Sequence, residues 1–238
     1  MTDLEMLEAL KKIDTPTITN VVATYPGRPL CLEIYNPWSE NWYTNNTLSC
    51  WYPEMGPIAG YAVTCTYGLP DPTFKSLTLM NVLEAMDKLG KPSIFCFQQK
   101  FPGDIADKVG LSGGNMTSSM RACGAIGAVS NGPSRDIHEI RPMNFQYLTR
   151  GICAGHGPQA VHAVQVPVSI AGMDVSPGEI IHMDENGAVK FPADRLEEVL
   201  RNAQALLAEE DERVGQLLKA RGLPAVKAIM AGHQYMKK

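Results

Sequence analysis

The chain has no run of about 18 consecutive apolar residues, so a membrane-spanning helix is not expected. Its first residues, MTDLEMLEALKK, show no basic segment followed by an apolar one. A secretory leader is therefore not expected, and the cytoplasm is the default compartment. Basic residues number 21 against 25 acidic ones, a net charge of −4, with no cluster of Lys and Arg. That balance argues against a general nucleic-acid surface. None of the six cysteines (Cys31, Cys50, Cys65, Cys96, Cys123 and Cys153) forms a CxxC pair. A zinc knuckle or a thioredoxin-like site thus has no support, although an even count leaves disulfides open. Neither GxGxxG nor GxxxxGK[ST] occurs, so neither a dinucleotide fingerprint nor a P-loop is expected. No Ser/His/Asp or Cys/His order stands out for covalent catalysis.

What is present is a 238-residue chain, 45% hydrophobic and 19% charged. That length suits one α/β domain with decorations at its ends. Leu4, Leu7 and Leu10 recur at helical spacing. Thr15 is placed to cap a second helix, with Pro16 at its first position. Residues 28–55 gather Trp38, Trp42, Trp51, Tyr35, Tyr43 and Tyr52. They read as a long ordered loop or two irregular strands, either covering a pocket or subunit contact or filling a satellite core. From Gly60 a regular order begins: strand 61–67, helix 77–89, strand 92–97, helix 113–123, strand 126–130 and strand 146–149. Gly60, Ala62 and Thr64 are expected near the site. Strand–helix alternation predicts parallel pairing. Short β segments between 163 and 191, parted by VSPGE and DENG turns, predict a compact mixed layer. Pro192 opens a helix over 193–208, extending at most to Lys219. His233 to Lys238 reads as an exposed tail or an intersubunit arm.

The segment Gly113–Asp136, GGNMTSSMRACGAIGAVSNGPSRD, carries most of the chemistry. It reads as glycine turn, helix, buried strand, second glycine turn, then Arg135 and Asp136 side by side. Backbone N–H groups of Gly113, Gly114 and Asn115 at a helix start suit an anion; the alternative is a plain helix cap. Arg135 can grip a carboxylate through two bonds, or it can pair with Glu139 four residues on. Asp136 offers a hard oxygen ligand, or caps a turn.

Four stretches together resemble one family. They are DTPTITNVV at 14–22, IAGYAVTC at 58–65, the GGN…RACGAIGAV…NGPSRD block, and VPVSIAGMDVSPGEIIHMDENGAVKFP at 166–192. The family is that of regulator-of-ribonuclease-activity-A-like proteins and 4-hydroxy-4-methyl-2-oxoglutarate/4-carboxy-4-hydroxy-2-oxoadipate aldolases. The resemblance implies an α/β fold of the swivelling β/β/α type, here with N- and C-terminal helical extensions. It is expected as a single domain over 1–238: core about 56–192, aromatic insertion about 28–55, C-terminal helix about 193–221. It implies a homotrimer or homohexamer with sites between subunits, and a small oxo acid as partner rather than nucleic acid or membrane.

For chemistry, the resemblance implies a lyase that uses Mg²⁺ or Mn²⁺ to cleave a 4-hydroxy-2-oxo acid to pyruvate and a second oxo acid. Oxaloacetate decarboxylation is a related activity. Asp136 takes the place of the metal ligand. Arg135 takes that of the catalytic, substrate-contacting arginine, and Gly113, Gly114 and Asn115 that of the carboxylate-binding turn. Glu210, in the EEDER run, stands where a glutamate enters a neighbour's site; a solvent-facing role is the alternative. One departure is clear: the aldolases carry an aspartate where this chain has Gly114, and Asn115 beside it is uncharged. Asp104 is nearby upstream in the sequence. Two other readings follow, a non-catalytic protein-binding regulator of the same fold and a related lyase for a larger or aromatic acid. His182 reads as a core residue, and His156 lies in a loop able to approach a substrate.

Overall fold

The computed structural model describes residues 1–73 and 76–232. Helix α1 (Asp3–Leu10) starts at a capping box, Thr2 with Glu5. Helix α2 (Thr15–Val22) is capped by Asp14 rather than Thr15, and Pro16 sits in its first turn. A two-residue strand β1 (Ser49–Cys50) follows the aromatic segment. Then come β2 (Ile58–Gly68), α3 (Leu79–Leu89), β3 (Ser93–Gln99), α4 (Gly103–Ala106) and α5 (Gly114–Ala122). They are followed by β4 (Ala125–Ser134), α6 (Ile137–Ile140), β5 (Gln146–Ile152), β6 (Ala160–Val164), β7 (Val168–Ile170) and β8 (Met173–Val175). The chain closes with β9 (Ile180–Asp184), β10 (Gly187–Phe191), α7 (Leu196–Lys219) and α8 (Gly222–Gly232).

Strands β2, β3, β4 and β5 pair in parallel, as the strand–helix order predicts. The far edge of β2 is shared: β9 runs antiparallel along Ile58–Tyr61, and β6 along Cys65–Gly68. The sheet order is β1-β5-β4-β3-β2-β9-β10, with β6 alongside β2. Both faces are covered, so nearly every residue of β2 is buried. Odd-numbered residues Val63, Cys65, Phe95 and Phe97 pack with Val82, Met86 and Met120 of α3 and α5. Even-numbered Ala62, Ile94 and Cys96 pack under Val168, Ile170, Met173 and Val175 of the β7–β8 hairpin. A third cluster joins α1, α2 and α7 to Tyr61, Ile180 and Phe191. Among the described residues no helix is long and apolar enough to cross a membrane.

The structure changes some expectations and decides between others. The NGPS stretch is not a turn: β4 continues through it as a bulged strand, with a register shift between Ser130 and Pro133. The Asn131 side chain substitutes for a ladder there, accepting from Gln99 N at 2.8 Å and donating to Gln99 O at 3.2 Å. Of the two readings of the aromatic segment, satellite core holds for Trp42 and Tyr52, whereas Trp38 is exposed. Trp42 is buried and stacks on Tyr35 at 5.5 Å, and Tyr52 donates to Ile137 O at 2.7 Å. The six cysteines are free thiols rather than disulfides, with Cys65 and Cys96 buried and Cys123 half-buried. Helix α8, with Pro224 in its first turns, follows α7 where no element was expected. The proposed tail, His233–Lys238, lies outside the described residues.

Candidate functional site

The parallel strands end on one side of the sheet, where open α/β sheets place their ligands. A cavity of about 890 Å³ opens there. Gly113, Gly114, Asn115, Arg135 and Asp136 all line it, so the structure brings together five of the six expected site residues. Glu210 does not line this cavity. It lies on α7, half-buried, with Arg213 Nη2 donating to it at 3.3 Å. Burial pushes its carboxyl upward, and Arg213 opposes that shift. Asp104 sits on α4 and is absent from the cavity wall, as are Gly60, Ala62, Thr64 and every residue of 28–55. The aromatic segment thus lends no support to a pocket reshaped for a larger or aromatic acid. His156 does line the cavity. His182 is fully buried between Thr15 and Leu10, a structural residue.

Asp136 adopts φ 58°, ψ 32°, a left-handed conformation that aspartate tolerates and most residues avoid. The turn aims its carboxylate back at α5. Oδ2 accepts from Gly114 N–H at 3.0 Å and from Arg135 Nε at 3.2 Å. One helix-start donor expected to face a ligand is therefore occupied by the protein's own carboxylate. Thr117 is the first residue of α5 whose N–H finds a backbone acceptor beyond the loop, Gly113 O at 2.9 Å. The N–H groups of Asn115 and Met116 point out of the helix start without an intrahelical acceptor. Arg135 bonds Asp136, not Glu139.

Glu139 is the residue that the sequence reading misplaced. It lines the same cavity, and its carboxylate fills the space above Gly114. A Cβ built on Gly114 would lie 2.1 Å from Glu139 Oε1, and one on Gly113 would lie 2.3 Å from Asp136 Oδ2. The glycine pair is thus a cradle for two carboxylates. Its signal was the three-residue step from Asp136 to Glu139 on one helical turn, which puts both on one face.

Beneath the loop lies a buried hydroxyl network that the sequence did not announce. Thr117 Oγ1 bonds Tyr147 OH at 2.8 Å and donates to Gly113 O at 2.8 Å. Ser112 Oγ bonds the same tyrosine, and Ser134 Oγ donates to Ser112 O at 2.8 Å. Burial pushes the Tyr147 phenol up to about 12, with the Ser112 and Thr117 bonds opposing, so it stays a neutral donor. This network ties the glycine loop to β4 and β5.

Asp136 and Glu139 are the acidic residues on the cavity wall, and Arg135 is its Arg or Lys among the described residues. No group of three or more His, Cys, Asp or Glu gathers into a metal cage among the described residues. Two hard carboxylates in an open cavity fit a Mg²⁺ or Mn²⁺ ion that keeps several waters. They do not fit a zinc or copper site built from nitrogen and sulfur.

A cavity over the strand ends, with an acid pair and an arginine at a glycine-rich helix start, defines an α/β protein with a charged candidate site. The family model RraA-like, described as Aldolase/RraA, matches residues 38–190, and the chain belongs to that family. It is similar to Protein DlpA of Legionella pneumophila, 32% identical over 156 residues, covering 65% of this chain and 24% of that one. It is similar also to a putative 4-hydroxy-4-methyl-2-oxoglutarate aldolase of Halalkalibacterium halodurans. There the identity is 27% over 133 residues, 56% of this chain and 61% of that one. This chain thus spans less than two thirds of either relative. Among solved structures, Streptomyces coelicolor RraAS2, described as an unusual member of the RNase ES inhibitor RraA family, superposes with TM-score 0.62. That match has 18% identity and covers 89% of this chain and 95% of that one, a likeness of fold.

Proposed function

We propose that the protein is a divalent-metal-dependent lyase that cleaves a 4-hydroxy-2-oxo acid to pyruvate and a second oxo acid. The observation that carries this reading is the carboxylate pair Asp136 and Glu139, cradled on Gly113–Gly114 beside Arg135. Two carboxylates and one guanidinium leave the wall net negative, so an acid substrate needs a further cation to bind there. Asp136 and Glu139 would hold Mg²⁺ or Mn²⁺. When bound, the ion supplies Lewis-acid charge to the oxygens of the 2-oxo acid.

The chain's own residues do the rest. Asn115 and Met116 N–H groups at the start of α5 meet the substrate carboxylate. Arg135 keeps its two terminal amino groups for the anionic partner, because only Nε is bonded to Asp136. In cleavage the bond between C3 and C4 breaks, the 4-hydroxyl gives up its proton, and C3 of the pyruvate fragment gains one. Glu210, with its carboxyl raised by burial, suits that proton transfer when α7 of a neighbouring copy reaches the cavity. The same arrangement suits oxaloacetate decarboxylation. The homologue named as an aldolase supports this reading.

A regulator without catalysis is the second reading, favoured by Gly114 in place of an aspartate and by the fold shared with RraAS2. The Glu139 carboxylate above Gly114 weighs against it. The test is pyruvate release from 4-hydroxy-4-methyl-2-oxoglutarate and from oxaloacetate, with Mg²⁺ or Mn²⁺ or with EDTA, beside an Asp136→Ala variant. Metal-dependent release lost in the variant is the expected result. No release from either compound, with no metal bound, would shift the assignment to the regulator.

A further inference from the structure

The proposed cleavage moves two protons, one off the 4-hydroxyl and one onto C3, and Glu210 is absent from the cavity wall of its own chain. On that wall Asp136 and Glu139 serve the ion, and Arg135 stays charged. Burial holds the proton of the Tyr67 phenol in place. Among the described residues of the wall, this leaves His156 as the ionisable group with no task. Imidazole is the side chain that both gives and takes a proton near neutral pH. Two backbone bonds hold its loop at the site. Gly110, also on the wall, donates its N–H to Gly155 O at 2.9 Å, and Cys153 N–H donates to Ser134 O at 2.9 Å. Ser134 directly precedes Arg135, so the turn carrying His156 is pinned beside the arginine.

The ring has one nitrogen fixed and one open. Nδ1 lies 2.7 Å from Gly157 O. A carbonyl oxygen can only accept, so Nδ1 carries a hydrogen and Nε2 is the nitrogen whose proton comes and goes. Nε2 has no protein partner among the described residues, and the residue is exposed. We infer that His156 is a catalytic residue whose Nε2–H returns the proton to C3 of the pyruvate fragment. This rests on the lyase reading above. When the bond between C3 and C4 breaks, its electron pair passes to the C2–C3 unit as an enolate. C4 becomes a carbonyl, and the 4-hydroxyl proton passes to Glu210. C3 then bonds the proton from Nε2, and the imidazolium becomes neutral imidazole. The exposed ring regains a proton from water as Glu210 releases one, so the cycle is proton-neutral. In oxaloacetate decarboxylation carbon dioxide leaves instead, and the step at C3 is the same.

The test isolates the C3 step. Exchange of the pyruvate methyl protons in D₂O with Mg²⁺, followed by NMR, needs proton transfer at C3 and no 4-hydroxyl. His156→Gln should slow this exchange about 100-fold, the scale of one general acid–base group. His156→Ala should be equally slow and should recover in part on adding free imidazole, which a merely structural histidine would not show. Both variants should melt within about 2 °C of wild type, because the side chain is exposed. A readout without turnover is the His156 Cε1–H signal of the wild type, identified by its absence from His156→Gln, which Mn²⁺ should broaden. Exchange in His156→Gln within about threefold of wild type, or a His156 signal still sharp in saturating Mn²⁺, would overturn the inference and leave the lyase reading standing. Slow exchange that imidazole does not restore, with pyruvate binding weakened by calorimetry, would make His156 a binding residue and overturn it too. A wild type that does not exchange pyruvate also overturns it; if pyruvate fails to bind as well, the lyase reading falls with it.

Discussion

Adjacent glycines at the start of α5 give a sharp pair of variants. In Gly113→Ala the new methyl lies 2.3 Å from Asp136 Oδ2 and 2.8 Å from Arg135 Nε. Asp136 has a short side chain on a left-handed backbone and little room to move. Shifting Oδ2 to ordinary contact, more than about 1 Å, breaks its bonds to Gly114 N–H and Arg135 Nε. Hydrogen bonds to a charged group contribute roughly 1.5–3 kcal/mol. With Asp136 a third exposed, solvent screening reduces that to about 1–2 kcal/mol. In Gly114→Ala the methyl lies 2.1 Å from Glu139 Oε1. That atom ends a flexible, exposed side chain with no protein partner among the described residues, so it swings away at little cost. Replacing a helical glycine by alanine returns up to about 1 kcal/mol. Backbone strain enters neither case, since Gly113 has φ −116° and Gly114 is helical. Gly113→Ala should therefore melt about 2–6 °C below wild type, and Gly114→Ala within about 2 °C of it. Thermal and urea melts of the pair measure this directly. Equal melting, or Gly114→Ala as the weaker variant, would refute the picture of Asp136 as the fixed carboxylate and Glu139 as the movable one.

Other expectations follow from neighbouring features. Tyr147→Phe strips a partner from Ser112 and Thr117 and should cost about 1–2 kcal/mol by denaturant titration; wild-type stability would mean the hydroxyl network does not brace the loop. His182 has its pKa lowered by burial. It therefore stays neutral in the folded chain while the unfolded chain takes up a proton near 6.5. Stability is then full above about pH 6.5 and falls below it by at most about 1.4 kcal/mol per pH unit. A His182→Gln variant, compared across pH 5–8, should lose that slope. Light scattering after gel filtration should give a trimer or hexamer; a monomer would leave Glu210 without a neighbouring site to serve.

Much of the fold was legible because the relevant signals are local. Leu79, Val82, Leu83 and Met86 fall on one helical face, and β2 and β3 read as buried apolar runs. Arg135 and Asp136 were legible as a pair because nothing but chain order joins them. Other features depended on distant partners. Asn131 extends β4 by bonding Gln99 across the sheet, which no turn propensity reveals. Gly114 read as a lost acidic group because the carboxylate above it comes from Glu139, on a different element.

The central claim is that Asp136 anchors a divalent cation in this cavity. Asp136→Asn is the direct variant, since its amide oxygen still accepts from Gly114 N–H while the charge is gone. Mn²⁺ titration followed by electron paramagnetic resonance should show one site per chain in the wild type, weakened at least about tenfold in Asp136→Asn, the scale of a lost charged ligand. Equal Mn²⁺ affinity in the two proteins would contradict the account.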